Sequence, residues 1–301
     1  MILRFTLYGQ LYTACDMTSP DATVLVRQYQ NAVFMPIMRV HQMHGKPRFP
    51  FLWGGAEHQA AFRQALNMRY AFLPFMYSLA HHGHRHGRPI GHPASFEFPS
   101  TMERALGDAT YMVGGVILPA DVSTSHGTTG ENATTVNLPP AASKGWYRWN
   151  TTHVEAGNQT LAHTVAIAEM VVYVREGAIL PLQAAAIQYS DLIGGLLQVQ
   201  VYAGADGTFE MVEDDGMTLD YITDSTDSTT GSGAVAAGGG TKTTHWSWDN
   251  GKKVLSYTVD GTFAGNNDYT EVQAVLFEAG ASAPQYAPVQ KLASAGGSIA
   301  F

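Results

Sequence analysis

Cys15 is the only cysteine in this chain of 301 residues, so no disulfide can form within it. Charge is also scarce. Asp, Glu, Lys and Arg make up 14% of the residues, and 25 acidic against 17 basic side chains leave a net charge of -8. With no basic run to offset it, that balance argues against a nucleic-acid surface. No segment approaches the roughly 18 apolar residues that a membrane span requires. The longest candidate, YAFLPFMYSLA from Tyr70 to Ala80, is too short and has polar flanks. The opening MILRFTLYG lacks the apolar core and small-residue cleavage site of a signal peptide. GxSxG, GxxxxGK[ST], HExxH and a strand-borne GxGxxG are all missing, which removes the usual signatures of serine hydrolases, P-loop enzymes, zinc proteases and dinucleotide binders. A hydrophobic content of 45% and a mean hydropathy of -0.07 describe an ordinary globular chain.

Two kinds of pattern follow one another along the sequence. Up to about residue 88, short apolar runs alternate with helical periodicity. LYTACD (Leu11 to Asp16) and PIMRVH (Pro36 to His41) read as strands ending in polar groups. The helix between them is predicted from Ser19 as N-cap, Pro20 at the first helical position and Asp21 at the positive end. Leu25, Tyr29, Ala32 and Val33 give it one apolar face. A longer helix is expected from about Glu57 to His82, with Phe62, Leu66, Tyr70, Leu73, Tyr77 and Ala80 as its stripe. Pro74 should kink or split it, and the Gly-punctuated HHGHRHGRP should stop it.

After Pro89 the runs shorten and turn residues multiply, as in an all-β unit. YMVGGVILP, TVNLPP, GWYRW and EMVVYVREGAILPL read as strands. A second β-rich unit starts near Leu196, with DDG (Asp214 to Gly216) and DNG (Asp249 to Gly251) read as hairpin turns. The low-complexity stretch 224–244 reads as a loop. No internal repeat is present.

Asp16, Arg39 and His41 form the leading chemical set. A strand–helix–strand unit that ends both strands in polar groups resembles the active-site edge of a (β/α) barrel. There the three side chains could fix the hydroxyls of a polar substrate. The alternative is a structural Asp16–Arg39 ion pair with His41 as a satisfied polar neighbour. His81, His82, His84 and His86 invite a metal, but they sit at a helix C-terminus where the dipole alone accounts for imidazoles. Glu213, Asp214, Asp215 and Asp220 lack the ligand alternation of a calcium loop and read as a solvated turn. Trp146, Tyr147 and Trp149 could stack on sugar but suit a sandwich core, and Met68 and Met76 suit packing. Nothing in these patterns asks for a metal or a cofactor.

In order along the chain, LYGQLYTACDM, PIMRVH, ALNMRYAFLPFMYSLAHHGHRHGRPI, FEFP, YMVGGVILPADV, VNLPPAASKGWYRW and VVYVREGAILPLQ resemble the C-terminal part of glycoside hydrolase family 31, the α-glucosidase and α-xylosidase family. The first two look like its seventh and eighth barrel strands, the third like the last barrel helix, and the rest like successive strands of its first C-terminal sandwich. The resemblance implies an α/β plus all-β fold, the end of a (β/α)8 TIM barrel followed by two β-sandwich domains. The expected division is an incomplete barrel at 1–88, a proximal sandwich at 89–184 and a distal one at 185–301.

The resemblance also implies a retaining, two-aspartate hydrolysis of α-glycosides. Both aspartates are expected upstream of the position matching Met1, so no residue here is assigned as nucleophile or acid/base. Three substrate-shell positions carry over. His41 matches the histidine that hydrogen-bonds sugar hydroxyls in the -1 subsite. Asp16 matches an aspartate bordering that pocket, and Arg39 an arginine that orients both. The family's usual Ile-Cys-Gly-Phe after the aspartate is replaced by Met17, Thr18 and Ser19, which removes an aromatic wall. Val40 stands where a polar residue is common. The expected partner is an oligosaccharide or α-glucoside, with no nucleic acid and no membrane span. Competing readings are a non-catalytic carbohydrate-binding or scaffold protein, and a transglycosylase or lyase of the same family. Asn132, Asn150 and Asn158 stand in glycosylation sequons, which points to a secretory route.

Overall fold

Residues 14–16, 21–40, 49–99, 111–120, 122, 133–184, 194–217, 240–263 and 268–301 are described by a computed structural model. They divide into two units, Met1–Arg69 with Gly87–Glu176, and Tyr70–His86 with Gly177–Phe301. These limits differ from the sequence-based boundaries after 88 and 184, because residues 70–86 join the second unit and that unit resumes at Gly177.

In the first unit, β1 (Ala14–Asp16) and β2 (Ile37–Arg39) pair in parallel. A parallel pair cannot be joined by a tight turn, and here the crossover is made by helix α1 (Ala22–Ala32). Asp21, not Ser19, caps that helix, and its carboxylate accepts from the Val24 amide at 2.9 Å. Ser19 and Pro20 lie outside the described residues. Leu25, Tyr29, Ala32 and Val33 are all buried as the spacing predicts. The same helix also buries Arg27, which donates from Nη1 to the Glu169 carbonyl at 2.9 Å and from Nη2 to that of Ala166 at 3.2 Å. Gln30 Nε2 adds a bond to the Ile167 carbonyl at 2.8 Å. Two polar side chains thus supply donors to three carbonyls of the loop before β10.

The remaining strands of the first unit are β3 (Gly91–Pro93), β4 (Tyr111–Val113), β5 (Ile117–Pro119), β6 (Ala133–Leu138), β7 (Trp146–Arg148), β8 (Val154–Glu155), β9 (Gln159–Thr164) and β10 (Val172–Arg175). Six of them form a sheet in the order β3-β4-β5-β10-β7-β8, while β6 and β9 pair separately. Met112, Leu118, Val136, Leu138, Trp146 and Tyr173 share one core cluster. Trp146 is core rather than surface, with its Nε1 donating to the Pro139 carbonyl at 2.8 Å. FEFP is not a strand. Phe96 ends a 3₁₀ turn (Ala94–Phe96), and Glu97 turns toward His92 Nε2 at 3.0 Å.

The expected long helix is two, α2 (Ala56–Ala71) and α3 (Leu73–His86). Pro74 falls in the first turn of α3, where a missing amide costs nothing, so it starts a helix instead of kinking one. The break resets the helical phase. Phe62 stays buried, but Tyr77 is 40% exposed, and the α3 core face runs through Phe75, Met76 and Leu79.

The second unit contains β11 (Ile179–Gln183), β12 (Gly195–Tyr202), β13 (Gly207–Glu213), β14 (Thr241–Asp249), β15 (Val254–Thr262), β16 (Tyr269–Phe277), β17 (Gln285–Tyr286), β18 (Gln290–Lys291) and β19 (Gly297–Ala300). One sheet runs β11-β12-β16-β17 with β18 also on β16; the other runs β13-β14-β15-β19. Leu197, Val199 and Val201 of the first sheet share a core with Trp246, Trp248 and Leu255 of the second. The period-2 spacing of Leu197, Val199 and Val201 on β12, and of Trp246 and Trp248 on β14, puts each set on one face of its strand. Each fully buried Leu or Val there contributes about 1.5–3 kcal/mol.

One turn reading and one loop boundary change. DNG does turn β14 into β15, but DDG leads into the residue 214–240 connection rather than a tight hairpin. Residues 241–244 are strand, not the end of the low-complexity loop, since the β-branched Thr241, Thr243 and Thr244 suit a ladder. The rest of that loop, residues 224–239, lies outside the described residues.

Candidate functional site

The register of the parallel pair is Ala14 with Ile37, Cys15 with Met38, and Asp16 with Arg39. Adjacent strands lie about 4.8 Å apart, so the backbones of Asp16 and Arg39 stand side by side at the two strand C-termini. Arg39 is exposed, and so are the neighbouring apolar Ile37 and Val40. His41 lies outside the described residues, two positions beyond Arg39 in sequence. The structure therefore brings together two of the three expected residues at backbone level.

What aims β2 is an arginine that the sequence reading passed over. Arg69, in the last turn of α2, donates from Nη1 to the carbonyls of Val33 at 2.8 Å and Met35 at 2.6 Å, and from Nη2 to that of Pro36 at 2.9 Å. These acceptors follow α1, where helix-end carbonyls lack intrahelical partners. One forked guanidinium fixes the turn that feeds Ile37, and burial lowers its pKa below the ordinary value. A cation in the last turn of a helix was the visible signal for it, but its targets lie more than thirty residues away.

The acidic group in the second unit is not a solvated turn. Glu213 and Asp214 are both buried. Tyr77 donates its hydroxyl to Asp214 Oδ2 at 2.7 Å, His81 Nε2 lies 3.4 Å from the same oxygen, and the Gly216 amide donates to Oδ1 at 2.8 Å. Burial pushes the Asp214 carboxyl up, yet these bonds together hold it below its ordinary value. Glu213 accepts from the Tyr269 amide at 3.2 Å, and its other oxygen sits 3.1 Å from Lys242 Nζ. Burial nevertheless raises Glu213 to about 7, against the opposing pull of Lys242. Asp220 lies outside the described residues.

The histidine run diverges in the same way. His81 faces Asp214, and His82 Nε2 lies 3.7 Å from Glu210, which also accepts from Arg85 Nη1 at 2.8 Å. His84 and His86 are exposed. No group of three or more metal-ligating side chains is found among the described residues. No helix among them is long and apolar enough to cross a membrane.

Known proteins match this chain in the same order as its two patterns. A model of the glycosyl hydrolases family 31 TIM-barrel domain matches residues 1–79, and one of the family 31 C-terminal domain matches residues 87–180. An alpha-xylosidase of Saccharolobus solfataricus is 30% identical over 216 residues, covering 71% of this chain and 28% of the relative. Neutral alpha-glucosidase C of Homo sapiens is 29% identical over 231 residues, covering 74% and 24%. The fold also superposes on the crystal structure of a GH31 alpha-xylosidase from Xanthomonas citri. That match has a TM-score of 0.71 and 22% identity over 93% of this chain and 29% of that one. The chain thus spans about a quarter of the length of such relatives.

Proposed function

This chain belongs to glycoside hydrolase family 31, and from that premise we propose that it supplies the sugar-holding end of a retaining α-glycosidase. Its architecture on this reading is the last two strands and helices of a (β/α)8 barrel, followed by two β-sandwich domains. Asp16, Arg39 and His41 line the -1 subsite. The nucleophile and the acid/base carboxyl come from barrel strands upstream of Met1.

The observation that supports this most is the Asp16–Arg39 register. Barrel enzymes place their chemistry at strand C-termini, and both charged residues are the last of their strands. A carboxylate and a guanidinium there hold hydroxyls in orientation by charge-assisted hydrogen bonds. The exposed Ile37 and Val40, and the stacked Phe49 and Phe51 on the turn Pro50–Leu52, are apolar surface that further barrel strands would cover. Two strands cannot close a barrel alone.

The test is hydrolysis of 4-nitrophenyl α-glucoside and α-xyloside. The 301-residue chain alone should give no turnover. The same chain joined to the upstream barrel sequence of its own locus should hydrolyse one of them, and His41→Ala should abolish that activity. Turnover by the chain alone would overturn the proposal, as would an upstream sequence with no aspartate-bearing barrel strands.

A further inference from the structure

The second unit holds a cleft of about 620 Å³ between the starts of β14 and β16, the end of β15, and β18. That volume lies within the range of small-molecule sites, about 300–1,000 Å³. Its charges come as two opposed pairs. Lys242 Nζ contacts Asp268 Oδ1, while Glu271 and Lys291 are register partners in the antiparallel β16–β18 pairing. Phe263, half-buried, adds an aromatic surface to the same lining.

The balance of charge decides what chemistry fits. An anion would meet Asp268 and Glu271, and a cation would meet Lys242 and Lys291. A neutral polyhydroxylated ligand gains from both, because each hydroxyl donates to a carboxylate and accepts from an ammonium. Phe263 can then pack on the apolar C–H face of a sugar ring.

Lys242 is 9% exposed, and its ammonium is already engaged by Asp268 Oδ1, by Glu213 Oε2 at 3.1 Å and by the Tyr269 carbonyl at 3.4 Å. It thereby holds Asp268 at the cleft wall, which lowers the ordering cost of binding to that carboxylate.

We propose that this cleft is a non-catalytic binding site for a neutral oligosaccharide, with Phe263 as its stacking surface and Asp268, Glu271 and Lys291 as its hydroxyl partners. It belongs to a different unit from Asp16 and Arg39 and does not depend on the reading of that pair.

The test is titration of the full 301-residue chain with maltotriose and with cellotriose, followed by calorimetry and saturation-transfer NMR. At least one sugar should bind with a Kd of about 1 mM. Phe263→Ala should weaken it by about tenfold or more, and Glu271→Gln, a surface change that leaves the core untouched, should weaken it severalfold. Arg39→Ala should leave it unchanged. Absence of binding by both sugars would overturn the proposal. So would binding that survives Phe263→Ala and Glu271→Gln, or displacement of the sugar by inorganic phosphate.

Discussion

Asp16 and Arg39 are register partners at the C-terminal ends of two parallel strands, one on each side of a helical crossover. The pairing gives the two side chains a common origin on the sheet, whatever each then touches. On the proposed reading, Arg39→Ala in the chain joined to the upstream barrel sequence of its own locus should raise KM for an α-glucoside by about tenfold to a hundredfold. That is the range of one or two charge-assisted hydrogen bonds, about 1.5–3 kcal/mol. Asp16→Asn should have the same direction with a smaller size. Unchanged KM and unchanged affinity for a competitive inhibitor in both variants would assign the pair to structure alone.

Arg69 should matter to stability before it matters to sugar. Arg69→Met leaves three carbonyls, of Val33, Met35 and Pro36, without the donor they now share. A loss of about 3 kcal/mol in urea unfolding is expected. Arg69→Lys should recover little of it, since a single ammonium does not reproduce the planar fork. Full recovery by lysine would show that charge, and not geometry, is what holds the turn.

Some of this was legible in the sequence and some was not, for identifiable physical reasons. The α1 face through Leu25 and Tyr29 follows from spacing alone, and so does the interruption at Pro74, because both are local. The phase of α3 was not legible, because a break shifts every later residue, and Tyr77 moved from the expected core face to a half-open position. The burial of Glu213 and Asp214 was hidden for a different reason. Two carboxylates beside a glycine look like a solvated turn unless one knows that Tyr77, His81 and Lys242 are folded against them. In the candidate barrel site, strand ends announced Asp16 and Arg39, but nothing local announced Arg69.

The sequon asparagines make a further case. Asn150 and Asn158 are both exposed, with φ of 59° and 60°, a left-handed turn conformation that asparagine tolerates. Asn132 lies outside the described residues. If the chain is secreted, expression in a eukaryotic secretory host should add glycan at Asn158 and Asn150, seen as a mass shift reversed by a peptide amidase. Unmodified mass after secretion would remove the sequons from the case for that route.

The Asp214 contacts predict an acid-side dependence. Its carboxyl is held below the ordinary 3.8 despite burial, so its stabilisation is fully present above the unfolded-state value and is lost as pH falls through the lower folded value. Stability of the chain should therefore decline below pH of about 4. Asp214→Asn should lower stability at pH 6 by about 1–2 kcal/mol and flatten the acid limb. His81→Phe, which removes one partner and keeps Tyr77, should do less. An acid limb unchanged in Asp214→Asn would assign the decline to other carboxylates.

Glu213 should act in the opposite sense, and the contrast between adjacent residues is the sharper test. Its carboxyl is raised from 4.5 to about 7 in the folded chain, chiefly by burial, with Lys242 pulling the other way. Between those values the folded state binds more protons than the unfolded one, so its contribution to stability falls as pH rises from 4.5 to about 7 and levels off beyond. Glu213→Gln keeps the shape and an acceptor for the Tyr269 amide but cannot ionise. It should flatten the unfolding free energy across that window, while Asp214→Asn leaves the window's slope intact. Equal slopes in wild type and Glu213→Gln would mean that the Lys242 ammonium keeps Glu213 ionised throughout, and that burial loses to the ion pair.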